Sequence, residues 1–93
     1  SAELYNLLVK NKFTVDLFDP YASKKEAVDQ FKIRIVQPKS KYDCIIITVA
    51  HHNFKKMNTG KILSYLKKPS LLVDIKNVWR DKRLPDYIKR WSL

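Results

Sequence analysis

Apolar positions in this chain change their period several times. Leu4, Leu7 and Leu8, with Tyr5 among them, recur at helical spacing and predict a helix over 2–11. In "KFTVDLF", Phe13, Val15 and Leu17 alternate with Thr14 and Asp16, the period of a strand over 13–18. Pro20, after Asp19, stops it, because the proline ring removes a ladder donor. "SKKE" (23–26) has the form of a capping box, and Ala27, Val28 and Phe31 then supply one face of a helix over 24–31. "IRIV" (33–36) reads as a short strand, and Pro38 with its lysine neighbours as a loop. Cys44 to Ala50 is an unbroken uncharged run, too short for a typical helix and rich in β-branched residues. Asn58 is placed to cap a helix over 59–67 that carries Ile62, Leu63 and Leu66 on one face. "SLLVDI" (70–75) is a second apolar strand. In 84–93, Ile88 and Trp91 suit either a helix or a terminal strand.

Alternation of helices and strands predicts an α/β fold. Its apolar strands should be buried on both faces, as in a parallel sheet between helices. The single glycine, Gly60, does not follow the first strand. The glycine-rich turn of a dinucleotide site is therefore not seen. The chain also begins with a helix where such a domain would already have one strand. The reading is a Rossmann-like three-layer domain over 1–93, with a short parallel sheet that lacks its first strand.

Composition adds a charge asymmetry. The net charge is +10 over 93 residues. Residues 1–54 hold 8 Lys/Arg against 6 Asp/Glu, a balance of +2, and residues 55–93 hold 11 against 3, a balance of +8. A basic half suits an anionic partner or a plain solvated surface. No apolar run approaches the ~20 residues of a membrane span, and no signal-peptide pattern opens the chain. One cysteine permits no intramolecular disulfide, which fits a cytoplasmic setting. Cys44 lies in the apolar run and reads as a buried structural thiol, with nothing adjacent to activate it. His51 and His52 end that run. Two adjacent histidines point apart and make no metal site by themselves.

Three segments, taken in order, resemble the C-terminal nucleotide-binding domain of the UDP-glucose/GDP-mannose dehydrogenase family. "VDLFDPYAS" (15–23) looks like its strand ending in an Asp-Pro turn. "KYDCIIITVAHHNF" (41–54) looks like its apolar strand followed by Ala-His and a phenylalanine. "LLVDIKNVW" (71–79) looks like its Asp-Val-Lys strand end. The run "DPYASKKEAVDQFKIRIV" is closest to the branch that oxidises UDP-N-acetylhexosamines. The resemblance implies a truncated piece of an NAD-dependent enzyme that converts C6 of a UDP-hexose or UDP-N-acetylhexosamine to a carboxylate for polysaccharide biosynthesis. NAD would be held by an N-terminal domain, and a homodimer formed through a central domain, neither of them in this chain. This fragment would hold no cofactor and no metal, lack activity alone, and bind a UDP-sugar rather than nucleic acid or membrane.

Three site residues are implied. Lys76 matches the position of a basic residue that reaches the nucleotide sugar, or is a solvated strand-end lysine. His51 matches the family histidine beyond the strand end, where it orients the turn. Asp19 meets a ribose hydroxyl, or serves the Asp-Pro turn, and the turn is favoured. Against this stands a free-standing basic α/β module binding nucleic acid, with Tyr65, Trp79, Tyr87 and Trp91 for stacking. The lysines, however, are spread over several elements.

Overall fold

A computed structural model of the chain describes residues 2–18 and 41–92. The predicted elements at 24–31 and 33–36, and Asp19, lie outside these residues. The chain divides into two compact units, Ser1–Pro38 and Lys39–Leu93.

In the first unit, α1 spans Ala2–Lys10. Leu4, Tyr5 and Leu8 are half-buried, while Leu7 and Val9 are exposed. Glu3 in the first turn and Lys10 in the last complement the helix dipole. The end is closed by two backbone bonds, Phe13 N–H to Leu8 O (3.1 Å) and Lys12 N–H to Val9 O (2.9 Å). That is a Schellman pattern. Its left-handed position is filled by Lys12, at φ 68°, where glycine is usual. Residues 13–18 do not form the expected strand; they carry an isolated bridge at Leu17. Val15 and Leu17 are half-buried and Thr14 and Asp16 exposed, but Phe13, on the same expected face, is exposed, so the alternation holds only in part. A strand, however, is made by its backbone partners as much as by its side-chain period.

The second unit is an α/β domain of Rossmann-like type, built on a parallel sheet in the order β1-β2-β3. The strands are β1 (Tyr42–Ile47), β2 (Leu66–Asp74) and β3 (Ile88–Ser92). Between β1 and β2 lie α2 (His52–Lys55) and α3 (Thr59–Tyr65). The strands within 44–50 and 70–75, their parallel sheet and the cap at Asn58 agree with the sequence. Asn58 Oδ1 accepts from Lys61 N–H at 2.8 Å. The helix stops at Tyr65 instead of 67, because Leu66 turns to φ −112°, ψ 139° and opens β2. Tyr42 pairs with Leu66, the ladder then breaks, and regular pairing resumes at Cys44 with Leu71. Pro69 lies in the break, where it has no N–H to donate. The tail resolves as a strand: Ser70 to Asp74 pair in register with Ile88 to Ser92.

One face of this sheet carries the core. Ile62, Leu66 and Leu72 are fully buried, with Ile47, Trp79 and Ile88 almost so. Ile45, Phe54, Met57 and Leu63 pack against them. Each such burial contributes about 1.5–3 kcal/mol. Among the described residues, the apolar run is covered on one face and not on both as expected. Cys44 and Ile46 point away from the Ile45–Ile47 face and are exposed, as is Leu71 beside Cys44. Cys44 is thus not the buried thiol expected from its apolar neighbours. Strand pleating decides this, because alternate residues must face opposite sides and the described core lies on one of them.

Candidate functional site at the carboxyl edge of the sheet

Residues 48–57 leave the end of β1, and residues 75–83 leave the end of β2. Parallel pairing puts both departures on one edge. Ile75 N–H donates to Ile47 O at 3.0 Å, so the two strands stay together to their last residues.

His51 occupies the N-cap of α2 with extended backbone, φ −68° and ψ 142°. Its carbonyl accepts from the N–H of Phe54 (3.0 Å) and Lys55 (3.2 Å). Its ring meets the Phe54 ring edge-on, with centroids 5.5 Å apart. Its side chain makes no capping hydrogen bond to the helix. His52, one position on, is exposed. Lys76 stands exposed in the turn after β2. The edge therefore brings together the loops of His51 and Lys76.

Four residues that the UDP-sugar reading did not single out, Asp74, Asn77, Trp79 and Arg90, hold this edge in shape. Asp74, the last residue of β2, is buried, and its carboxylate accepts from Val78 N–H (2.9 Å) and Trp79 N–H (2.8 Å). Asn77 N–H donates to the Asp74 carbonyl (3.2 Å), and Asn77 takes a left-handed φ of 54°, which asparagine tolerates well. Trp79 is buried, and its indole Nε1–H donates to Phe54 O at 2.7 Å. That bond ties the β2 loop to the His51 turn. From β3, the Arg90 guanidinium donates to Trp79 O, and to Lys82 O at 2.6 Å. A charge closing the apolar run "SLLVDI" was the available signal for Asp74, since a buried carboxylate must be satisfied.

Of the four aromatics available for stacking on nucleic acid, Trp79 is spent in the core and Tyr65 and Tyr87 are half-buried; Trp91 is exposed. Cys44 has its thiol pKa pushed up, first by partial desolvation and then by the neighbouring Asp43 charge. That is the opposite of an activated nucleophile. Among the described residues, no group of three or more His, Cys, Asp or Glu could hold a metal ion. None of their helices is long and apolar enough to cross a membrane.

Parallel strands feeding loops to one carboxyl edge define a ligand-binding α/β domain class, since open sheets of this kind take ligands there. The model of the UDP-glucose/GDP-mannose dehydrogenase family, UDP binding domain, matches residues 1–81, and the chain belongs to this family. It is 37% identical over 71 residues to a UDP-N-acetyl-D-glucosamine 6-dehydrogenase of Pseudomonas aeruginosa, covering 74% of this chain. A protein of the same name from Salmonella typhi is 36% identical over 73 residues, covering 76%. The matched part spans 17% of the length of each of these relatives. No solved structure gives a significant match.

Proposed function

We propose that this chain is the UDP-sugar-binding domain of an NAD-dependent nucleotide-sugar 6-dehydrogenase, cytoplasmic and dimeric, that oxidises C6 of a UDP-N-acetylhexosamine to the uronic acid. The observation that carries the reading is the family match across residues 1–81. The likeness to UDP-N-acetyl-D-glucosamine 6-dehydrogenases supports the choice of sugar over a UDP-hexose.

Under this reading Lys76 meets the diphosphate as a point charge, without the two-pronged geometry an arginine would add. His51 shapes the turn beside it, and Asp19 serves a ribose hydroxyl or its own Asp-Pro turn. NAD supplies hydride acceptance in such enzymes. The described residues do not fit it, for the single glycine, Gly60, sits inside α3 and not at a strand-to-helix turn. The dinucleotide and the reacting carbon belong to other parts of the enzyme.

Calorimetric titration of the 93-residue chain with UDP-N-acetylglucosamine tests the proposal. Lys76→Ala should weaken binding about tenfold, the loss of one charge-assisted contact. Tight binding of duplex DNA with steep salt dependence, and none of UDP-sugars, would instead favour the nucleic-acid module.

A further inference from the structure

We propose that Arg90 is a positioning residue for the ligand edge, acting through the loop that carries Lys76. The inference rests on the functional reading above for what is positioned, and on geometry for how. Arg90 pairs in register with Leu72, so its side chain leaves β3 on the core-bearing face of the sheet. Its two donor nitrogens reach the carbonyls of Trp79 and Lys82. Lys82 N–H also donates to Trp79 O at 3.0 Å, so the guanidinium caps a turn that is already closed.

The same Trp79 is gripped from two other directions. Asp74 takes its backbone N–H, and Phe54 O takes its indole N–H. Trp79 thus joins β2, β3 and the His51 turn, and Lys76 is one of the four residues between the Asp74 and Trp79 anchors. An anion-binding lysine on a slack loop loses affinity to the entropy of ordering it. Arg90 removes that slack from the far end of the loop, from a strand that itself lies one strand away from β1. Lysine in its place has one donor centre and cannot span two carbonyls in a fixed fork.

Hydrogen exchange by NMR and a UDP titration decide the matter on the wild-type chain, Arg90→Ala, Arg90→Lys and Lys76→Ala/Arg90→Ala. In Arg90→Ala, the amides of Val78 and Trp79 should exchange about tenfold faster, the loss of a charged hydrogen bond. Those of Ile62 and Leu72 should stay protected. UDP affinity should fall severalfold, Arg90→Lys should recover part of it, and the double variant should bind no worse than Lys76→Ala alone. Unchanged exchange at Val78 and Trp79 overturns the inference. So does faster exchange across the whole core, which marks a merely structural arginine, and so do additive losses in the double variant. A wild-type chain that fails to bind UDP overturns the functional reading instead, and the exchange data alone then decide whether Arg90 pins the loop.

Discussion

At the scale of single residues, the edge depends on side chains of Asp74, Trp79 and Arg90 that bond to backbone groups. Asp74 satisfies two amides with two carboxylate oxygens. An amide side chain offers one acceptor, so Asp74→Asn leaves one N–H orphaned in a buried place. Urea denaturation should show a loss of about 1–3 kcal/mol. Cys44 gives a second residue-scale expectation. A thiol whose pKa is raised holds less thiolate at neutral pH than a free cysteine does. Alkylation by iodoacetamide at pH 7 should therefore be slower than that of glutathione. The two rates should converge only as pH rises past the raised pKa. A rate at pH 7 equal to or above that of glutathione would contradict the raised pKa.

At the scale of elements, termini were more legible than strands. The Asn58 cap was readable because capping is a local geometry of three or four residues. Gly60 follows it in the first turn of α3 at an ordinary negative φ. A Cβ there would meet Asn58 Oδ1 at 3.4 Å, an ordinary contact. Gly60→Ala should therefore raise stability by about 0.5–1 kcal/mol, through a less floppy unfolded chain, and thermal melting checks it. The alternating segment 13–18 shows the opposite case. Its period was right for a strand, yet Leu17 has only an isolated bridge. The tail at 88–92 had an ambiguous period and became a strand because β2 offered it a parallel partner.

At the scale of the whole molecule, family membership and charge make separate statements. The family match concerns what the domain is built to hold. The excess of 11 Lys/Arg over 3 Asp/Glu in residues 55–93 concerns how an anion approaches. The chain alone should produce no NADH from UDP-N-acetylglucosamine and NAD, since its single glycine does not build a dinucleotide loop. Turnover above a protein-free blank in an NADH absorbance assay would refute this.

The sequence by itself determined the α/β class, the apolar strands within 44–50 and 70–75, the helix after Asn58, and the family. It could do so because period, capping and ordered short motifs are local properties of the chain. It placed His51 and Lys76 just past strand ends, and parallel pairing then put their loops on one edge. Only tertiary structure decided that Cys44 and Ile46 are exposed while Ile45 and Ile47 are covered. Alternation names two faces of a strand but not which one meets the core. Only tertiary structure, too, showed Trp79 bonded to Phe54 and Arg90 bonded to Trp79. Those partners lie 25 and 11 residues apart in the chain, and no local pattern encodes a hydrogen bond across such a distance.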